Sequence, residues 1–536
     1  MRTALAVLLA AVLLASWAPA AEVPREKILA RIEEGVEVIL KGRQEDGRFE
    51  FNQGSPVGET ALGLLALEYA RPYLAGGIRD RAREAGDKAA SYIIRQSPEM
   101  TTYSAGVVLT SLGRRDVDRK RLLLYATMLA TSQHDKDPLL GMWGYRLKAP
   151  PGGPPAEELD DWGDNSNSQF AVLGLYMASR KGFAAPRTVW ERAAEHFTRA
   201  QDKAGGWTYG VRREPGSRVP PTANMTIAGA VSLALCEEML QGASHAQCEP
   251  RPRSKAVDAG LQWIADHWEQ QKIGTDAYGL YGLERLGILV GRSNIGAHDW
   301  YREGAQAVVT KQAFNKSWGS PEINWCFAVA FLAHGLDPVV INKLERRGAD
   351  DWNCDPWDAR NLVDYVQDHY QQSVQWRIVT LEAPLEQLLR TPILYVTGHE
   401  KLDFSVDEKA KLKAYVEGGG TILGEACCSK GAFADSFRAR MRETFGEGLR
   451  PLPAEHRLFE ALRMKDSPAR PAVECLPIAA EEGRPGVLFL PADLSCRWTV
   501  GGPDARGAFE VGSRLYLYIT KDCRQMYLKA HPVSAP

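Results

Sequence analysis

The chain has 536 residues, a length that exceeds one ordinary hydrophobic core and predicts at least two domains. Hydrophobic residues make up 45% and charged residues 25% of the sequence, as in an ordinary globular protein. The formal net charge of -2 provides no general attraction to nucleic acid or anionic lipid, so nucleic acid is excluded as an expected partner.

The N-terminus has the pattern of a targeting segment. Arg2 precedes an apolar run from Ala4 to about Ala15, and small residues follow up to Ala21. The run is too short to span a bilayer comfortably, so residues 1–20 are predicted to be a cleavable signal peptide. Because no later stretch is long and apolar enough to cross a membrane, the mature chain is expected to be secreted or periplasmic, without a transmembrane span.

Residues 21–345 alternate between two kinds of predicted helix. Six are amphipathic and charged, near residues 27–44, 78–96, 118–133, 186–201, 254–271 and 298–312. Six are apolar on most faces, near residues 58–69, 103–112, 166–179, 224–240, 277–289 and 324–334. Apolar helices must be buried and amphipathic ones lie outside, which predicts an (α/α)6 toroid. The same periodicity also fits an open solenoid.

The turns between these helices repeat a short motif. In its fullest copy Gln201 ends a helix, Gly205 opens the turn and Trp207 lies in it; a second copy keeps Gln312 and Trp318. The Gln amide can bond exposed helix-end backbone while the Trp stacks over it, so a structural role is predicted. The motif fits the Gln-x-x-x-Gly-x-Trp repeat of triterpene cyclases, and the region resembles the squalene-cyclase and prenyltransferase superfamily of toroids.

This resemblance implies a place for catalysis. Squalene–hopene-type cyclases protonate an alkene with an Asp-x-Asp-Asp motif at the start of an inner helix. At the matching place this chain has Asp161-Trp162-Gly163-Asp164-Asn165, so the motif is absent. Asp161 and Asp164 are the candidates for an acid, and capping of the next helix by Asp164 is the structural alternative.

Aromatic and amide side chains at the turns and inner-helix starts are candidates for a ligand cleft at one mouth of the toroid. They would suit either a sugar-binding cleft or simple turn packing. The candidates are Trp143, Tyr145, Trp162, Asn165, Asn167, Asn224, Tyr278 and Trp325.

Residues 346–536 change pattern, because apolar β-branched runs now alternate with amphipathic helices. Strands are predicted at residues 374–380, 392–396, 421–424, 486–490 and 515–519, with helices at 361–370, 384–389, 406–417 and 432–445. This alternation favours a mostly parallel sheet covered by helices on both faces. The predicted fold class is therefore multidomain α and α/β, an (α/α)6 toroid followed by a three-layer α/β domain.

Several segments of this second region resemble one bacterial family. They are Thr391–His399, Tyr415–Cys428, Phe437-Arg438 and Asp493–Trp498. These segments resemble domain of unknown function 4159, which is similar in fold to class I glutamine amidotransferases and implies a flavodoxin-like domain over residues 346–536. The resemblance implies no established activity. The amidotransferase nucleophile motif Gly-x-Cys-x-Gly is absent around Cys427.

Ligands of open α/β sheets sit outside the carboxyl ends of the strands. Here those ends carry His399, Glu425, Cys427 and Asp493. Cys427 is a candidate nucleophile, and a vicinal disulfide between Cys427 and Cys428 is a second possibility. The third is a purely structural role, in which these buried polar side chains connect neighbouring loops. All four side chains are compatible with a metal, but they lack a diagnostic spacing, so neither a metal nor a cofactor is predicted.

These patterns predict an exported, non-catalytic binding or scaffold protein of the periplasm or cell envelope. Its expected partner is an unidentified envelope protein or a small ligand. The alternative is an enzyme whose toroid cleft acts on an isoprenoid or a polysaccharide.

Overall fold

A computed structural model describes most of the chain. The described ranges are 23–51, 54–98, 101–115, 119–149, 158–210, 219–241, 254–315, 319–346, 348–370, 372–456, 458–459, 471–477, 485–500 and 505–530. The predicted signal peptide and Trp318 lie outside these ranges. Within them, no helix combines the length and apolar character needed to cross a membrane.

The first part of the chain, here called the helical region, folds where the alternating helices were predicted. Its helices are α1 (Arg25–Lys41), α2 (Pro56–Ala70), α3 (Gly76–Arg95), α4 (Thr102–Leu112), α5 (Arg119–Thr131), α6 (Asn165–Arg180), α7 (Arg187–Ala200), α8 (Ala223–Gln241), α9 (Lys255–Asp266), α10 (Trp268–Gln271), α11 (Ala277–Leu289), α12 (Trp300–Val309) and α13 (Pro321–Gly335). Two short strands, β1 (Asn294–Ile295) and β2 (His298–Asp299), form a hairpin before α12.

The apolar helices α2, α4, α6, α8, α11 and α13 form the inner ring. In α13, for example, every residue from Asn324 to Ala333 is buried. Each inner helix packs against the next, and α13 packs against α2, so the circuit of contacts closes. A helix without a polar face needs neighbours all round, and a closed ring provides them.

The charged helices lie outside this ring and bury a single stripe. In α1 the stripe is Ile28, Ile32, Val36 and Ile39, at spacings of three and four residues. This stripe faces α13, and α7 packs in the same way on α8. Amphipathic periodicity therefore sorts the helices into two layers, as the sequence indicates.

The turn motif ties one outer helix to the next. Gln201 donates from Nε2 to the carbonyl oxygens of Gly205 and Ala256, each at 2.8 Å, and Ala256 lies in the first turn of α9. The fully buried Trp207 donates from Nε1 to the Phe197 carbonyl oxygen at 2.7 Å. Gly205 has a φ of 98°, which favours glycine.

The same arrangement recurs one repeat earlier. Gln133 donates to the carbonyl oxygen of Val189 in α7 at 2.9 Å, and Trp143 donates from Nε1 to Leu129 O at 2.8 Å. Trp143 is fully buried, so the structure gives this cleft candidate the packing role of Trp207. Gln312 begins a 3-10 turn, Gln312–Phe314, before the undescribed Trp318.

The remainder, here called the sheet region, is built on seven strands. The strands are β3 (Val339–Leu344), β4 (Gln375–Val379), β5 (Ile393–Gly398), β6 (Thr421–Ala426), β7 (Arg450–Pro451), β8 (Glu474–Pro477) and β9 (Pro485–Leu490). Their order is β4-β3-β5-β6-β9-β8-β7; the first five are parallel and the last two pairings are antiparallel. Strand β3 begins before residue 346, so this sheet starts earlier than predicted.

Helices cover both faces of the sheet, which makes three layers. They are α14 (Asp358–Tyr370), α15 (Leu385–Leu388), α16 (Val406–Glu417), α17 (Gly431–Phe445), α18 (Ser495–Val500) and α19 (Arg506–Ala530). Alternate residues of β5 enter different cores, since Ile393 and Tyr395 join α14, α18 and α19 whereas Leu394 and Val396 join α16 and α17.

The strand predicted at residues 515–519 is wrong, because these residues lie within α19. Their β-branched and aromatic content favours a strand locally. However, Val511, Leu515 and Ile519 recur every four residues and are all buried in one core. Tertiary packing of this helical stripe outweighs the local β-propensity.

Candidate functional site

The acid candidates of the helical region lie at the start of α6. The carboxylate of Asp164 accepts bonds from Asn167 N at 2.6 Å, Ser166 Oγ at 2.8 Å and Asn167 Nδ2 at 3.0 Å. It therefore caps α6, which is the structural alternative considered above. Asp161 is exposed nearby.

The amide candidates beside Asp164 are also engaged with neighbouring turns. Asn165 donates from Nδ2 to Thr208 O at 2.8 Å, and its Oδ1 lies 2.7 Å from Nε2 of His196. His196 is buried on α7, and burial lowers its pKa to about 4. The nearby Arg199 lowers this pKa further.

This buried histidine predicts a loss of stability in mild acid. Its folded pKa of about 4 lies below the ordinary 6.5, so between these values the unfolded chain binds a proton that the folded chain excludes. The contribution of neutral His196 to the free energy of unfolding is fully present above pH 6.5. It is lost as the pH falls toward 4, by up to about 3 kcal/mol. Urea unfolding of wild type and His196→Gln at pH 7 and 4.5 measures it. Identical pH dependence in the two proteins would contradict the prediction.

Among the other cleft candidates, Tyr145 and Tyr278 both contact Tyr103. Tyr145 is 42% exposed and packs against Tyr103 and Trp162 with ring centroids 5.8 and 5.5 Å apart. Trp325 is buried against Phe314. Asn224 and Tyr278 line a small cavity of about 20 Å³ that Arg285 also borders.

A larger cavity of about 400 Å³, here called the central cavity, lies between the helical and sheet regions. Each inner helix contributes to its wall, and α14 and β4 of the sheet region contribute another side. The apolar part of the wall is formed by Leu173, Val231, Leu235, Ile288 and Trp376.

The two regions are held together around this cavity by polar contacts. Arg360 of α14 donates to Tyr176 OH at 2.9 Å and also contacts Glu238. Arg180 lies 3.2 Å from Asp364, and Ile378 N donates to Gly291 O at 2.7 Å. The ion pairs of Arg360 with Glu238 and of Arg180 with Asp364 neutralise charge where the two regions meet.

Two guanidinium groups in the cavity wall have no such partner. Arg114 lies over the Tyr69 ring at 4.0 Å and Arg285 over the Tyr281 ring at 3.2 Å. Among the described residues, no carboxylate oxygen lies within 4 Å of either group. Nη2 of Arg285 is buried without a hydrogen-bond acceptor, and Nη1 reaches only Tyr281 O at 3.5 Å. Burial lowers the pKa of Arg285 to about 9, and the charge of Arg114 contributes.

The nearest buried carboxylate is already engaged. Glu284 is fully buried and contacts Nδ1 of His334, whose Nε2 lies 3.8 Å from Asp337. Asp337 in turn accepts a bond from Tyr73 OH at 2.6 Å, and burial raises its pKa. This chain of contacts directs Glu284 toward His334.

The candidates of the sheet region lie at the carboxyl edge of the sheet. Glu425 is fully buried and accepts bonds from Thr397 Oγ1 at 2.7 Å, Leu494 N at 2.8 Å and Ser495 N at 3.2 Å. Burial and the neighbouring Asp493 raise its pKa above the ordinary range. Glu425 thus anchors the start of α18, whose backbone at Cys496 also bonds Asp493 at 3.3 Å.

His399 and Cys427 lie side by side on this edge, with Nε2 3.0 Å from Sγ. The Cys427 thiol also donates to Oδ2 of Asp355 at 3.0 Å, and the Cys354 sulfur lies 3.4 Å from Nδ1 of His399. The sulfur of Cys496 lies 3.9 Å from that of Cys427. We call Cys354, Asp355, His399, Cys427, Cys428, Asp493 and Cys496 the strand-end cluster.

The sequence analysis missed several residues of the central cavity and of the strand-end cluster. Arg285 could have been recognised, because this charged residue follows Glu284 inside an otherwise apolar, buried helix. Cys496 lies within the segment that carries the family resemblance. Cys354 and Asp355 follow β3, which the sequence placed in the helical region, so their position at this edge was hidden.

Comparison with protein families assigns the sheet region. Residues 340–521 match the family described as a domain of unknown function (DUF4159), which confirms the predicted resemblance. The match starts within β3. A comparison of the chain with curated proteins finds no match.

Proposed function

We propose that this chain is an exported, non-catalytic binding protein, and that the central cavity holds a small organic anion. The supporting observation is that Arg114 and Arg285 face one cavity without a carboxylate within 4 Å among the described residues. A desolvated cation without a counterion destabilises a fold. A bound oxyanion would provide the missing charge and the missing acceptor for Arg285.

The cavity also favours a class of ligand. Its volume of about 400 Å³ falls in the range of small-molecule sites. Apolar side chains such as Leu235 and Ile288 line it beside the two arginines. The proposed ligand is therefore a carboxylate or phosphate group on an apolar body.

We also propose a specific fold for each region and a location for the protein. The closed inner ring supports an (α/α)6 toroid of the squalene-cyclase and prenyltransferase kind. The order β4-β3-β5-β6-β9 corresponds to the 2-1-3-4-5 order of flavodoxin-like sheets. Export to the periplasm or cell envelope is proposed from the N-terminal sequence pattern alone.

The alternative is an enzyme that acts on an isoprenoid or a polysaccharide with Asp161 or Asp164 as acid. The geometry favours it less, because the Asp164 carboxylate accepts three hydrogen bonds from the start of its own helix. The carboxylate is therefore occupied in capping its own helix.

Arg285→Met tests the anion site through two opposite effects. Without ligand, the variant is expected to be more stable than wild type by about 1–3 kcal/mol, because an unsatisfied buried charge is removed. With decyl phosphate or decanoate, wild type is expected to gain thermal stability and Arg285→Met to gain none. Thermal unfolding and calorimetric titration measure both effects.

Decanol has only the apolar part of the ligand and inorganic phosphate has only the ionic part. Each of them should bind more weakly than decyl phosphate. The matched control is Arg83→Met, since Arg83 lies on the exposed side of α3 near Asp80. A stabilised Arg285→Met that still binds decyl phosphate would disprove the site. So would equal binding of decanol.

A further inference from the structure

We propose that the strand-end cluster is a zinc site, with Cys427, Cys428, Cys496 and His399 as ligands. The site is separate from the central cavity and goes beyond the proposed anion binding. Cys427 and Cys428 follow β6, His399 follows β5, and Cys496 lies in α18 after β9. Three adjacent parallel strands therefore bring the four side chains to one edge.

The sulfur–sulfur distances suit a tetrahedral thiolate site. Tetrahedral zinc with Zn–S bonds of about 2.3 Å separates two sulfurs by about 3.8 Å. The Cys496 sulfur lies 3.9 Å from that of Cys427 and 3.5 Å from that of Cys428. The ligand atoms of His399, Cys427 and Cys428 all lie within 4.8 Å of one another.

The charges around the cluster favour a dication. The carboxylates of Asp355 and Asp493 lie within 4.8 Å of the Cys427 sulfur. Of the nearby cations, Arg346 donates to Asp351 at 2.7 Å and Lys343 to Asp358 at 2.7 Å, whereas Lys430 acts on His399. A metal dication would neutralise the negative charge that these two carboxylates place beside the sulfurs.

The surrounding fold orients the ligands. Asp351 accepts bonds from the backbone of His399 at 2.9 Å and of Glu400 at 2.8 Å, which fixes the loop after β5. The Cys354 sulfur lies 3.4 Å from Nδ1 of His399, leaving Nε2 for the metal. Such contacts behind a histidine ligand set its tautomer and orientation.

The loop after β6 holds an unusual backbone. Cys428 and Ser429 have φ values of 52° and 54°, in the left-handed region that is unfavourable for residues other than glycine. This turn brings the Cys428 sulfur back toward that of Cys496. Strain of this kind persists where a site depends on it.

A cysteine nucleophile fits the cluster less well. An activating histidine is normally oriented by a group that holds its other nitrogen and stabilises positive charge. Here the carboxylate of Asp355 contacts the Cys427 sulfur itself, and the group at the other nitrogen of His399 is a cysteine sulfur rather than a carboxylate. A catalytic pair of one cysteine and one histidine also gives no role to the sulfurs of Cys428 and Cys496, which lie beside Cys427.

Cobalt and zinc titrations of the full mature chain test the proposal. The reduced chain, freed of metal under nitrogen, is expected to bind one Co²⁺ with the absorption of a tetrahedral thiolate site, and Zn²⁺ is expected to displace it. Cys427→Ser and Cys496→Ser should each abolish stoichiometric binding. Cys354→Ala, which removes the group behind His399, should weaken it about tenfold.

The matched control is Cys475→Ser, a buried thiol on β8 for which burial raises the pKa to about 12. It should bind metal as wild type does. If Cys427→Ser misfolds by circular dichroism, Cys496→Ser provides the test, because Cys496 is only partly buried. A disulfide among these cysteines in chain purified from the exported fraction, with no metal bound after anaerobic reduction, would overturn the proposal. So would retained binding in Cys496→Ser.

Discussion

Replacing Lys343 with methionine is expected to lower the free energy of unfolding by about 3–5 kcal/mol. Lys343 lies on β3, and its Nζ is 2.7 Å from Oδ1 of Asp358 and 2.6 Å from the carbonyl oxygen of Asp355. Both charged side chains have 0% exposure. Methionine fills a similar volume but leaves Asp358 as a buried carboxylate without a counterion.

Urea unfolding at pH 7 measures this effect. Burial already raises the pKa of Asp358 to about 6 with the lysine present, which shows how poorly this position solvates a charge. Adding Asp358→Asn to Lys343→Met should recover part of the loss, because no unpaired charge then remains. Lys409→Met is the surface control, since its pair with Glu443 is partly exposed and should contribute less than about 1 kcal/mol. A Lys343→Met variant as stable as Lys409→Met would refute the argument.

Trp207→Ala is expected to destabilise the helical region by about 3–5 kcal/mol. The indole is fully buried and bonds Phe197 O. It also packs directly on two glycines: a Cβ added at Gly229 would lie 2.4 Å from its ring, and one at Gly260 would lie 2.8 Å away. Because the neighbouring backbone already approaches so closely, the space left by alanine cannot be filled by small rearrangements.

Thermal and urea unfolding of three variants would separate the causes. Trp207→Phe keeps most of the ring volume and loses the Nε1 bond, so it should fall between wild type and alanine. Trp143→Ala removes the equivalent indole one repeat earlier and should behave like Trp207→Ala. Trp162→Ala is the control, because that ring is only partly buried in an irregular segment. Equal stability of Trp207→Ala and Trp162→Ala would show that the motif does not hold the turns.

Most secondary structure was predictable because its signals are local. The apolar and charged helices differ in composition along their whole length, and Val406–Glu417 was placed to the residue. The segment Leu515–Ile519 failed because a five-residue window shows its β-branched and aromatic character but not the four-residue spacing that begins at Val511.

The candidate sites were predictable only in part. The parallel direction of the strands places His399 and Cys427 at the same edge of the sheet, and that direction could be inferred from the sequence. The approach of Cys496 depends on Glu425 anchoring α18, and that of Cys354 depends on β3 joining the sheet. Arg114 and Arg285 come from segments far apart in sequence, so the central cavity could not be located without the structure.

The contact between α13 and α2 has a consequence for how the helical region loosens. Linear repeat arrays fray from their terminal repeats, and amide exchange is fastest there. A closed ring has no terminal repeat, so opening one inner helix breaks contacts on both of its sides at once. Amide hydrogen exchange in the inner helices should therefore be slow and nearly uniform around the ring, and the region should melt as one cooperative unit.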